Sequence, residues 1–169
     1  MFNIILFIST YPVLLIIYFV LKNNHKFHDH LLFSVSMKEE WVEQPAVQKI
    51  ISDFKKQMNI LLLIFFAVPL TSLLTSHFSI QFTIWMNWLI LLVLLFYVPY
   101  AIANKKLKEW KKENQLYVSS FDPAFKTNED EAWIFGLFYY NPNNKSSIVE
   151  TRAGIGTSVN MATGLGKGL

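Results

Sequence analysis

Residues Met58–Phe78, MNILLLIFFAVPLTSLLTSHF, and Phe82–Ala103, FTIWMNWLILLVLLFYVPYAIA, decide the fold. Neither stretch contains Asp, Glu, Lys or Arg. At a helical rise of about 1.5 Å per residue, each is long enough to cross a hydrocarbon layer of about 30 Å. The link between them, His77-Phe78-Ser79-Ile80-Gln81, is also free of acidic and basic side chains. Residues 58–103 therefore read as a transmembrane helical hairpin, and the rest of the chain is placed by the side of the bilayer it must occupy.

Working outward, Phe2–Leu21 is a third uncharged run. No basic residue precedes it, and it ends in Leu21-Lys22-Asn23-Asn24 rather than in a small-x-small cleavage site, so a retained membrane helix over 1–21 is expected in place of a signal peptide. Composition agrees. Only 16% of residues are charged, against about 25% in soluble domains, and a soluble nucleic-acid binder would not carry three such runs. Nucleic acid is accordingly not an expected partner. All 15 basic residues fall between Lys22 and Lys56 or after Ala103. The positive-inside rule then puts the N-terminus outside, the 22–57 loop inside, the link outside and the tail inside. The expectation is an all-α membrane protein of three spans, multi-pass in a cell membrane, with a cytoplasmic amphipathic helix and a small C-terminal β-meander.

Each span carries one proline, Pro12, Pro69 and Pro99, which frees a carbonyl that lipid cannot satisfy. Ser9 and Thr10, and Thr71 and Ser72, are the hydroxyls expected to help. Asn87 reads as glue to a neighbouring helix, and Trp85 and Trp88 as an outer interfacial belt.

In the inner loop, His25, His28 and His30 with Asp29 come nearest to a metal-ligand cluster. The chain has no Cys and no HExxH, and nearby lysines oppose a cation, so a solvated linker is expected and no metal or cofactor. Ser36-Met37-Lys38-Glu39 has capping-box spacing and predicts a short helix from about Met37. Pro45 suits the first turn of another helix. There Val47, Ile50, Ile51, Phe54 and Met58 form one apolar stripe, expected to lie along the inner interface or against the tail before turning into the second span, with Lys55 and Lys56 at the headgroups. The 104–120 segment, with Lys105, Lys106, Lys108 and Trp110, reads as a basic interfacial anchor. In the tail, 121–169, Glu129-Asp130-Glu131 reads as solvated linker, 133–140 as one strand, Asn141–Asn144 as a turn and 147–151 as a returning strand.

Two stretches carry a resemblance. Trp133-x-x-Gly136-x-Phe138-Tyr139-Tyr140-Asn141-Pro142-Asn143-Asn144, followed by Val149-Glu150-x-Arg152-x-Gly154-Ile155-Gly156-Thr157-x-x-Asn160, resembles a short C-terminal domain of bacterial membrane proteins. Phe33-Ser34-Val35-Ser36-Met37-x-Glu39-Glu40 with Pro45-x-Val47 resembles a loop in larger bacterial membrane proteins related to the SdpI immunity-protein group. Thr157 and Arg152-Ala153 depart from the usual pattern of such tails. The resemblance implies location and architecture, with immunity or signalling as the associated roles. On it, Trp133, Gly136, Tyr139, Asn141, Pro142, Arg152, Gly154 and Gly156 are the expected partner-binding residues.

No catalytic constellation is present. Gly164-Leu165-Gly166-Lys167-Gly168 lacks the leading glycine and the following hydroxyl of a phosphate loop. The three spans hold no ionisable proton relay. A non-enzymatic membrane factor with a protein partner is therefore the leading expectation. A small transporter subunit is the alternative, and a membrane-bound enzyme stands behind both.

Overall fold

The computed structural model describes residues 2–23, 26–74, 77–116, 130–152 and 156–167. It is mostly helical, at 65%, so the strands are a minor addition built onto helices. In chain order the elements are α1 (Phe2–Asn23), β1 (Leu31–Leu32), β2 (Val35–Ser36), α2 (Glu39–Val42), α3 (Pro45–Ala67), a 3₁₀ segment Val68–Leu74, α4 (Phe78–Glu113), a 3₁₀ turn Asp130–Ala132, β3 (Trp133–Ile134), β4 (Phe138–Tyr139), β5 (Ile148–Glu150), β6 (Thr157–Val159) and α5 (Gly164–Lys167). Two helices are long and apolar enough to cross a membrane, Pro45–Thr71 and Phe78–Glu113; Ile8–Asn23 is a shorter apolar helix. The chain divides into two compact units. One comprises 1–23 with 52–100, and the other comprises 24–51 with 101–169.

In the first unit α1 runs antiparallel to α3. Tyr11 packs against Phe66 with the ring planes tilted by 48° and the centroids 4.8 Å apart, and Tyr18 Oη donates to Asn59 Oδ1 at 2.7 Å. Phe65 joins α3 to α4 through edge contact with Phe96 at 5.4 Å. The outward faces are apolar: Ile16, Phe19, Leu63, Phe66, Ile90 and Leu94 are among many large side chains at least half exposed.

Proline 69 is accommodated by a side chain from another helix. Pro69 has no N–H, so the carbonyl of Phe65 loses its usual helical partner. The buried Trp88 indole donates to that oxygen at 3.0 Å. Thr71 Oγ1 instead turns back to Val68 O at 2.7 Å. This corrects two expectations, since Trp88 is interior rather than interfacial, and a neighbouring indole satisfies the freed carbonyl. Asn87 is exposed and donates to Thr83 O of its own helix at 2.8 Å, and among the described residues it bridges to no neighbouring helix.

Three further expectations are corrected. First, α3 continues unbroken from Pro45 through Lys55 and Lys56 into the apolar run, because no helix breaker lies between Pro45 and Pro69. Likewise α4 absorbs Phe78–Gln81 of the expected link and the basic segment as far as Glu113. Second, Ser36 caps no helix. It lies in β2, and α2 starts after Lys38 without a side-chain cap. Third, the tail is not a single meander. Residues 133–140 fold back on themselves as an antiparallel hairpin, Trp133 opposite Tyr139 and Ile134 opposite Phe138, because Phe135 and Gly136 adopt left-handed backbone angles. Strand β5 pairs with β6 over Ile148–Val159, and a single parallel bridge, Tyr139 to Asn160, joins the two hairpins.

Candidate functional site

The second unit is assembled from segments far apart in sequence. Its interior holds Leu32, Phe33, Val35 and Met37 of the segment between α1 and α2, Val47 and Ile51 of α3, Leu107 of α4, and Trp133 and Tyr139 of the tail. The β1–β2 hairpin turns through Phe33 and Ser34, both at positive φ. That is the two-residue geometry usually served by Asn-Gly. Here burial of the Phe33 ring, 2% exposed, accompanies the turn.

A buried ion cluster closes on this hairpin. Lys111 Nζ of α4 donates to Asp130 Oδ2 at 2.5 Å and to Ser36 O at 2.8 Å. Arg152 Nη1 donates to Asp130 Oδ1 and, at 3.3 Å, to Ser34 O. The Ser36 N–H donates to Asp130 Oδ1 at 3.0 Å. Close by in the same unit, Asn104 Nδ2 donates to Phe33 O at 2.7 Å. The side chains of Lys111 and Arg152 are each 8% exposed, so neither charge is left to water. Burial pushes the Asp130 carboxyl up, but the charges of Lys111 and Arg152, the hydrogen bond from Lys111 and the Ser36 N–H outweigh it. The group is held below the usual carboxylate range. Two cations sharing one carboxylate is a structural arrangement with its hydrogen bonds satisfied.

A second polar node holds the tail hairpins together. Asn160, fully buried, donates through Nδ2 to Asn141 O and Asn144 O, each at 3.0 Å, and accepts at Oδ1 from the Asn141 N–H at 3.1 Å. Tyr139 Oη accepts from Asn141 Nδ2 and Asn144 Nδ2 at 3.2 and 3.1 Å. The turn at Pro142–Asn143 is present as the sequence predicts, but it leads into β5, which pairs away from β4.

Of the expected partner-binding residues, Trp133, Gly136 and Tyr139 face inward, and the Arg152 side chain lies in the ion cluster. Asn141 is half-buried, Pro142 and Gly156 are exposed, and Gly154 lies outside the described residues. Lys55, Lys56, Lys105 and Lys106 are exposed, and Trp110 is half-buried. Lys108 is drawn to the tail, donating to Trp133 O at 2.6 Å. His28 and Asp29 pair at 3.2 Å on an exposed turn, and His25 lies outside the described residues. Among the described residues no three His, Asp or Glu side chains are grouped to hold a metal. The residues missed from sequence are Asp130, Lys111, Asn104 and Asn160. Asp130 falls in a run that reads as solvated linker and Lys111 in the segment that reads as an interfacial anchor, and both are buried. Comparison of the chain with protein-family models, curated proteins and solved structures returns no match.

Proposed function

We propose that this is a non-enzymatic, multi-pass membrane protein of three spans, its N-terminus outside, which presents a cytoplasmic module to a protein partner as an accessory, sensory or immunity-type factor. The observation that carries the reading is the Lys111–Asp130–Arg152 cluster. It ties the inner loop, the end of α4 and the tail into one ordered platform, where a mere tether would need no buried charge. The exposed apolar faces of α1, α3 and α4 support lipid as their solvent, since soluble monomers rarely expose such continuous apolar surface. The antiparallel course of α1 and α3, with every basic residue of the chain on the inner side of the uncharged runs 2–21 and 58–103, supports the orientation. Pro142 and Gly156 are the surface positions offered to a partner among those expected from sequence.

A second reading, a small subunit of a transporter complex, draws on Asn87. An amide exposed on an otherwise apolar helix face suits contact with another protein's span.

Reporters fused after Leu169 and before Met1 test the topology, with the first expected inside and the second outside. Isolation of the full chain in mild detergent is expected to recover one protein in stoichiometric amount, and Asp130→Asn to lose it. A solitary chain would sink both readings. Gradient-dependent flux in reconstituted vesicles would move the assignment to the transporter subunit.

A further inference from the structure

We propose that the turn of the β3–β4 hairpin is a membrane-dipping loop. In this proposal Phe135 and Leu137 enter the boundary between headgroups and acyl chains of an anionic inner leaflet. It rests on the reading of α4 as a crossing helix.

The first argument is position. A Cβ placed on Gly136 would lie 3.1 Å from Asn104 Nδ2 and 3.0 Å from Ser34 Cβ, so the turn sits directly against Asn104. Asn104 is the first residue after the apolar run that ends at Ala103, and Lys105 follows it. One helical turn further along, Lys108 holds Trp133 O at the other end of the hairpin. The hairpin thus runs beside α4 with its turn at the level where the apolar helix stops.

The second argument is the division of faces. Trp133, Gly136 and Tyr139 point inward, while Ile134, Phe135, Leu137 and Phe138 are each 40–50% exposed. Phe135 holds φ at 52°, a conformation that Asn or Gly adopts far more easily than a bulky side chain.

Charge supplies the third argument and chooses the occupant. Lys105 and Lys106, next to Asn104, are exposed at the same level. No acidic residue occurs between Glu131 and Glu150. An apolar loop tip beside two exposed lysines, of which Lys105 also faces Glu109 at 3.9 Å, matches an anionic bilayer surface, where aromatic side chains settle and lysines meet headgroups.

The chain has no cysteine, so single spin labels can be introduced into the full chain. Phe135→Cys, Leu137→Cys, Leu94→Cys and Lys112→Cys would each be labelled and reconstituted in vesicles of phosphatidylcholine with phosphatidylglycerol. Accessibility to oxygen would then be compared with accessibility to a water-soluble nickel chelate. Leu137 has an ordinary backbone angle and keeps the test standing if a label at 135 disturbs the turn. The oxygen-to-nickel ratio at 135 and 137 is expected several-fold above that at 112, approaching that at 94. Ratios at 135 and 137 equal to that at 112, with 94 lipid-like, would overturn the loop and leave the crossing helix in place. A water-like 94 would overturn the crossing itself and the loop with it. Dipolar broadening at 135 that disappears on dilution with unlabelled chain would mean that a second copy covers the tip, which also overturns the proposal.

Discussion

Asp130 is the carboxylate shared by two buried cations, and removing its charge exposes how much depends on it. Asp130→Asn removes the carboxylate that Lys111 and Arg152 share. Breaking a buried pair in this way costs about 3–5 kcal/mol, so the second unit should unfold at markedly lower denaturant in detergent, followed by tryptophan fluorescence. The same group sets a pH dependence. Its folded-state value lies below its unfolded value, so its contribution is full above the unfolded carboxylate value, near pH ~4, and is lost as pH falls through the folded value. Acid titration should therefore destabilise the unit below about pH 4, and Asp130→Asn should flatten that limb; an unchanged limb would show that other carboxylates govern it. Gly136 is constrained twice, by φ of 76° and by Ser34 Cβ at 3.0 Å from an added methyl. Gly136→Ala should cost at least about 1 kcal/mol, read as a lower midpoint in the same unfolding assay.

At the scale of elements, the α3–α4 pairing turns on Pro69. Its missing N–H leaves Phe65 O to the Trp88 indole, which makes a helix-helix contact out of a helix defect. Trp88→Phe keeps an aromatic ring and removes the donor. It should destabilise the helix pair by about 1 kcal/mol, within the range of interhelical hydrogen bonds in membranes. In a Pro69→Ala background the new amide can take up Phe65 O, so the cost of Trp88→Phe should shrink. Equal costs in both backgrounds, measured by unfolding in detergent, would show that the indole bond and the proline are not coupled. The three apolar runs and the helix start at Pro45 were legible because length, absence of charge and a proline at a helix start act locally. The hairpins at Phe33–Ser34 and Phe135–Gly136 were not, because neither turn uses the Asn-Gly or Asp-Gly pair that announces such geometry.

For the whole molecule, the inner loop and the tail stand or fall together. Ser36 is bonded through its N–H to Asp130 and through its carbonyl to Lys111. Truncation before Asp130 should therefore accelerate hydrogen exchange at the Ser36 amide, although the cut lies more than ninety residues away. Unchanged protection would show that the loop folds without the tail. By itself the chain's order of residues determined the long apolar helices, the distribution of basic charge beside them and the apolar stripe of α3, because each depends on periodicity or composition within one segment. Only the tertiary structure decided that Asp130, in a run that reads as solvated linker, is buried between Lys111 and Arg152, and that Trp133 and Tyr139 form an interior rather than an interface. Those outcomes depend on which distant segments meet, and a buried charge is stable only where the fold brings it a partner.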